Sequence, residues 1–205
     1  MRKSSICWLT VMILVVTAMI GMLTGCTDKK AEDAAGKVIK VGYFPNMTHA
    51  QVLVGLSDGT FQKALGDGVA IEEHTFNAGP SEIEALLAGE IDLGYIGPVP
   101  AINGFVKSRG ELCIIAGASD AGAVLVARKG LNIQSVRDLD GKRVAIPQLG
   151  NTQDISLRHL LAQANLSDSS KGGTVNVLPV ANPDILTLMA KGEVDAALVP
   201  EPWGS

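Results

Sequence analysis

The sequence predicts an α/β fold in two lobes of similar topology, mainly parallel sheets flanked by helices, with the second lobe incomplete. Three observations carry this. Short apolar runs rich in Val and Ile alternate along the chain with stretches whose apolar residues recur at helical spacing, as in βαβ units. A strand–turn–helix–strand layout then occurs twice. Pro80 matches Pro183, an offset of 103 residues, and at that offset Gly89-Glu90-Ile91-Asp92 matches Gly192-Glu193-Val194-Asp195. Ile83 falls on Leu186, Leu86 on Met189 and Ile96 on Val199. Upstream, Val41-Gly42-Tyr43-Phe44-Pro45 runs into Asn46 and Thr48, as Val144-Ala145-Ile146-Pro147 runs into Asn151 and Thr152. Third, 205 residues with 47% hydrophobic content suffice for one large or two small domains. One larger α/β domain with a recurrent helix type is the alternative.

Residues 1–25 read as an export signal. Arg2 and Lys3 precede an almost wholly apolar run, 6–22. Leu23-Thr24-Gly25-Cys26 resembles a bacterial lipobox, which implies cleavage before Cys26 and a diacylglycerol on its thiol. An uncleaved membrane helix is the alternative, the run being near the lower length limit for spanning. Residues 26–37, small and polar, read as a flexible tether. Lobe 1 is expected over 38–121 and lobe 2 over 122–205. Cys113 is then the only cysteine of the folded part, expected as a small core hydrophobe on an apolar strand, 112–116.

The remaining elements follow in order. A strand over 38–44 leads through a turn at 45–48 to a helix over 49–57, with Ala50, Leu53, Val54 and Leu56 inward. A strand over 69–76 leads through a turn at 77–80 to a helix capped by Ser81, with Ile83, Leu86 and Leu87 on one face and Gly89 as its stop. A short strand over 91–96, the turn Gly97-Pro98 and a helical stripe of Val99, Ile102 and Val106 come next. The second lobe starts with a strand at 124–128. It continues with a short helix at 135–142, a strand at 143–146 and a helix over 152–163, with Ile155, Leu160 and Leu161 inward. A polar loop at 167–173, a strand at 175–180, a helix at 184–190 and a strand at 196–199 complete it.

The net charge of −4 becomes −6 without the signal, and no basic run occurs, which excludes a nucleic-acid surface. There is no G-x-S-x-G, C-x-x-C, P-loop or G-x-G-x-x-G, so neither a catalytic residue nor a metal or cofactor site is expected. His74 and His159 read as ordinary surface or half-buried histidines, and His49 stands next to a turn of interest. What recurs is a polar or glycine-containing turn after a strand and before a helix: 46–48, 77–80, 97–98, 150–152 and 181–183. In parallel sheets such turns share the carboxyl edge, where open α/β folds bind ligands. Their helix-start N–H groups suit an anion without Arg or Lys.

These segments carry a resemblance. GYFPNMTHAQVLVGL, FNAGPSEIEALLAGEIDLGYIGPVPAING, SVRDLDGKRVAIPQLGNTQD and ANPDILTLMAKGEVDAALVPEPW together resemble the substrate-binding proteins of ABC importers for aliphatic sulfonates, nitrate and taurine. The resemblance implies a two-lobed, type II periplasmic-binding-protein fold with a hinge. It implies a monomeric, extracytoplasmic protein that captures a small-molecule solute between the lobes and delivers it to an ABC permease. The family's cleft maps onto Asn46, Met47 and Thr48, then Gly79, Pro80, Gly97, Pro98 and Ser119, then Asn151, Thr152, Asn182, Glu201 and Trp203. Family members continue past the E-P-W segment, so the chain is expected to be C-terminally truncated. An enzyme on the same fold, with His49 or Glu201 as first suspects, a pyrimidine-type binding protein and a sensing domain are the rival readings. Glu201 suits an amine or cation, which keeps taurine-like zwitterions and metal-held oxyanions open.

Overall fold

In the computed structural model, which describes residues 36–205, β1 (Lys37–Tyr43) runs into a 3-10 turn at Met47–His49. The expected signal, Cys26 and the expected tether through residue 35 lie outside the described residues. The chain continues through α1 (Ala50–Ser57), α2 (Thr60–Leu65), β2 (Val69–Thr75), α3 (Gly79–Leu87), β3 (Leu93–Gly94) and α4 (Pro98–Lys107). After an irregular stretch come β4 (Ala123–Ala127), β5 (Arg143–Ile146), α5 (Thr152–Gln163), β6 (Asn176–Pro179), α6 (Asn182–Ala190) and β7 (Ala196–Pro200). The strands form two sheets, ordered β2-β1-β3 and β4-β7-β5-β6. The pairs β1–β3, β5–β6 and β5–β7 are parallel, and β4 lies antiparallel to β7.

The internal repeat reappears in the strand register. Val41 stands opposite Leu93 and Gly42 opposite Gly94; at the same offset Val144 stands opposite Ala196 and Ala145 opposite Ala197. The aspartate of each G-E-x-D segment explains why it recurs. Asp92 Oδ2 accepts the Lys40 N–H at 2.8 Å, and the Asp92 N–H returns a bond to the Lys40 carbonyl at 2.9 Å. Asp195 Oδ2 accepts the Arg143 N–H at 3.0 Å, and its own N–H donates to the Arg143 carbonyl at 2.9 Å. Each aspartate therefore clamps the strand it precedes to the neighbouring one, at the middle of β1 and at the start of β5. Gly89 and Gly192, at φ 73° and 75°, reverse the chain between helix and clamp in a conformation that favours glycine.

The second sheet carries two apolar clusters. One joins Leu139, Val144, Ile146, Leu157, Leu161 and Val175; the other joins Ala145, Ile185, Val194, Ala197 and Val199. The first sheet's cluster is smaller, with Val41, Tyr43 and Val52 at its centre.

Several sequence expectations are corrected. On α1, Val52 is buried and Val54 is 59% exposed. On α3, Leu87 is exposed, and the buried positions are Glu82, Ile83 and Ala85. On α4 the stripe is reversed: Pro100, Ala101 and Gly104 face inward while Ile102, Phe105 and Val106 lie exposed. The cause is close helix packing. A Cβ on Gly104 would lie 2.6 Å from Ile83 Cδ1, so only small residues fit at the α3–α4 contact. On α5, Ile155 is exposed and Leu157 buried, because Asp154 turns inward to accept the Gly150 N–H at 2.8 Å and sets the helix phase. Residues 112–116 form no strand. Ile114 and Ile115 are exposed, Cys113 is an exposed free thiol, and the segment joins neither sheet. Ser81 is not a cap: α3 begins at Gly79 behind Ala78. The short helix α2 was not expected from the sequence.

Candidate functional site

The turns expected to form the site lie at the carboxyl ends of β1, β2, β3, β5 and β6, each feeding a helix. Asn46 is buried, and its side-chain oxygen accepts the Thr48 N–H at 3.1 Å and the Thr48 hydroxyl at 2.7 Å. Two bonds from one amide oxygen fix the turn, so Met47 projects outward, 60% exposed. At the start of α5, Asn151 does the same work by accepting the Asp154 N–H at 2.8 Å. The starts of α3, α4 and α6 have no side-chain cap, and each carries a proline in the first two positions. Their first-turn N–H groups are therefore not taken by cap side chains.

The two sets of turns meet. The Met47 N–H donates to the Glu201 carbonyl at 2.9 Å, and the Ser119 hydroxyl donates to the Thr48 carbonyl at 2.6 Å. The Ser81 hydroxyl reaches Gln148 Oε1 at 3.3 Å. A side chain at Gly97 would collide with the Thr152 hydroxyl, and one at Gly150 would come within 4.0 Å of Pro80. Gly79 is buried against Pro100, and Pro98 is exposed at the head of α4. So Met47, Pro80 and Gly97 of the first sheet's turns stand against Glu201, Gly150 and Thr152 of the second. Asn182 is buried as the first residue of α6. Trp203 packs against the cluster around Ile185, and Glu201 Oε2 accepts the Ser205 hydroxyl at 2.8 Å.

Two polar atoms at these helix starts stand out. Thr152 Oγ1 and Asn182 Oδ1 are buried and have no hydrogen-bond partner among the described residues. A buried polar group without a partner is costly, roughly 1–3 kcal/mol, and a ligand that supplies the missing bond removes that cost.

His49 is part of the core. It is 5% exposed, its Nδ1 accepts the Phe44 N–H at 3.3 Å, and its ring lies 4.3 Å from that of Phe44. Burial lowers its pKa to about 4, which keeps it neutral. His74 pairs with Glu72 at 2.8 Å, and His159 is exposed. Among the described residues no group of three or more His, Cys, Asp or Glu side chains is placed to hold a metal ion. There are two surface recesses among the described residues: one beside Arg158 and Lys171, and one beside Asp184 and Lys191 that borders the 181–183 turn at Ala181.

Gln148, Ser81 as a bridge, and Gln51, whose amide reaches the Ala118 carbonyl at 2.5 Å, were missed in the sequence. Gln148 follows Pro147 as Asn46 follows Pro45, so the repeat pointed to it.

Residues 32–205 match the NMT1-like family. The taurine-binding periplasmic protein of Escherichia coli is 28% identical over 147 residues, which is 71% of this chain and 43% of that protein. A binding protein of Brucella abortus is 29% identical over 164 residues, covering 78% of this chain and 46% of the relative. The chain thus spans about half the length of the curated relatives it matches. Among solved structures, the alkanesulfonate-binding protein from Xanthomonas axonopodis, bound to MOPS, is 25% identical with a TM-score of 0.63, over 83% of this chain and 56% of that one.

Proposed function

This chain belongs to the NMT1-like family, and on that premise we propose that it is an extracytoplasmic solute-binding lipoprotein of an ABC importer. It captures a small sulfonate, nitrate or taurine-like solute between two lobes, residues 38–121 and 122–205. The relatives supply the class: one binds taurine by name, and a similar structure binds an alkanesulfonate. The observation that carries the reading is the pair of buried, unpartnered atoms Thr152 Oγ1 and Asn182 Oδ1, beside helix starts whose N–H groups have no side-chain cap. A hydroxyl and helix-start N–H groups donate to sulfonate oxygens, and an amide oxygen accepts from an ammonium. Taurine offers both groups.

A solute bridging the turns adds contacts to both lobes at once and favours the closed arrangement by its differential affinity. Asn46 and Asn151 hold the turns in shape, and Met47 and Trp203 cover the alkyl part. No bond is made or broken: His49 is neutral and engaged with Phe44, and the Glu201 carboxylate is engaged with Ser205. Cys26 carries the lipid, and residues 26–37 tether the lobes to the membrane, where an ABC permease receives the solute.

The test is a fluorescence titration of the full chain carrying Trp8→Phe, so that Trp203 alone reports. Taurine, alkanesulfonates, nitrate, bicarbonate and a pyrimidine are added in turn. The expected result is a saturable change with taurine or an alkanesulfonate, weakened about tenfold by Asn182→Ala, the worth of one good hydrogen bond. A folded chain that responds to none of the panel contradicts the reading. Loss of radiolabelled palmitate incorporation in Cys26→Ser tests the anchor separately.

A further inference from the structure

The repeat places Glu82 at the position of Ile185. In the second sheet, Ile185 of α6 packs over Ala145 and Ala197, with Val194 and Val199 beside it. In the first sheet, Glu82 of α3 packs over Gly42 and Gly94, which are register partners, with Ile91 alongside. An apolar trio in one sheet is thus a buried acid over two glycines in the other. The glycines make the room. A Cβ on Gly42 would lie 2.7 Å from Glu82 Oε1, and a side chain at Gly94 would collide with the same oxygen. Glu82 is 1% exposed, and neither carboxyl oxygen has a hydrogen-bond partner among the described residues.

The repeat unit folds with Ile and two Ala at these places, so the carboxyl is not required by the topology. An ionised, unpaired carboxylate in such a site is strongly disfavoured. Among the described residues no counter-charge pairs with it. Gly42 on β1, Gly94 on β3, and Ile91 and Phe76 from the adjoining loops meet it or the space beside it. Of the charged and titratable groups on these elements, the Tyr43 hydroxyl bonds Glu73, the Asp92 carboxylate accepts the Lys40 backbone N–H, Glu84 of α3 is exposed, and Lys107 lies at the far end of α4. Burial alone pushes the Glu82 carboxyl up to about 8.

We propose that Glu82 is a proton switch built into the first sheet: with its carboxyl protonated α3 seats on β1 and β3, and ionisation of that carboxyl lifts the first turn of α3, with Gly79 and Pro80, off the sheet. The consequence for transport rests on the function proposed above. Gly79 and Pro80 belong to the solute site, so a rise in pH through this range loosens half of it and lowers solute retention.

The native state holds a proton that the unfolded chain has released, so stability falls as pH rises from about 4.5 to about 8 and levels off above. The test is thermal melting of the full chain against pH, without solute, for the wild type and Glu82→Gln. The melting temperature of the wild type is expected to fall by about 10–20 °C more than that of Glu82→Gln across this range. Equal slopes overturn the proposal. The triple variant Glu82→Ile, Gly42→Ala, Gly94→Ala transplants the second sheet's trio and is expected to melt higher than wild type at pH 8.5. Infrared spectroscopy keeps the idea testable whatever the variants do. The wild type at pH 6.5 is expected to show a protonated-carboxyl band that vanishes in alkali, and absence of that band overturns the proposal. None of these readouts needs a bound solute, so failure of the switch and failure of the solute-binding reading are told apart.

Discussion

The two sheets share one hydrogen-bond frame and differ in how completely they are buried. Both use an aspartate 52 residues downstream to clamp a strand, Asp92 to Lys40 and Asp195 to Arg143. Only the second clamp is reinforced by charge. Asp195 also binds the Arg143 guanidinium at 2.9 Å and that of Arg128 at 3.2 Å, while the Lys40–Asp92 bond is exposed. The second sheet's β7 is buried along its whole length, and the first sheet's β2 alternates between half-buried and exposed. The lesson is that the repeated residues specify the frame. The residues between them decide how much core is laid over it.

The largest effect that sharpens this comparison is at the two clamps. Asp195→Ala leaves two arginines without their shared partner and is expected to cost about 3 kcal/mol, whereas Asp92→Ala loses one exposed bond worth about 0.5–1 kcal/mol. Urea unfolding measures both, and equal costs would break the comparison. Hydrogen bonding from Arg143 holds the Asp195 carboxyl well below the usual carboxylate range. Its stabilisation is therefore full above the unfolded value of about 4 and is lost as pH falls through the lower folded value. Asp195→Ala should flatten the acid limb of the stability profile.

Next in size is the core itself. Leu157→Ala, at a fully buried site of the second sheet, is expected to cost about 3 kcal/mol. Val106→Ala, on the exposed face of α4, is expected to cost about 0.5 kcal/mol or less, although both residues sit on apolar helical stripes. The smallest pair is the two caps. Asn46→Ala and Asn151→Ala each lose a turn-closing side chain and are expected to cost about 1 kcal/mol. Thermal melting checks them, and a large difference between the two would mean that the turns are not equivalent.

Much of the frame was legible in the sequence because spacing survives where detail does not. The prolines and the G-E-x-D segments announced the repeat, and the strands at 143–146 and 196–199 and the helix over 152–163 fell close to their observed bounds. The helix faces were harder. Leu87, Val54, Ile155 and the α4 stripe were expected inward because apolar spacing was counted, yet small residues took the tight contacts at the α3–α4 packing and the inward Asp154 set the phase of α5. The segment 112–116 has the composition of a strand, but composition does not specify pairing, and it joins neither sheet. The candidate site residues were read from the sequence as turns, and turns are what the fold shows at those positions. That Asn46 and Asn151 would act as caps, that Thr152 and Asn182 would be left unpartnered, and that Gln148 would reach Ser81 depend on geometry no spacing contains.

The central claim, that one solute is held jointly by both sets of turns, is tested most directly by calorimetric titration of taurine. The wild-type chain is compared with Asn46→Ala from the first sheet and Asn182→Ala from the second. The account predicts measurable binding to the wild type and an affinity loss of about tenfold in each variant. Full-affinity binding retained in either variant would contradict a shared site.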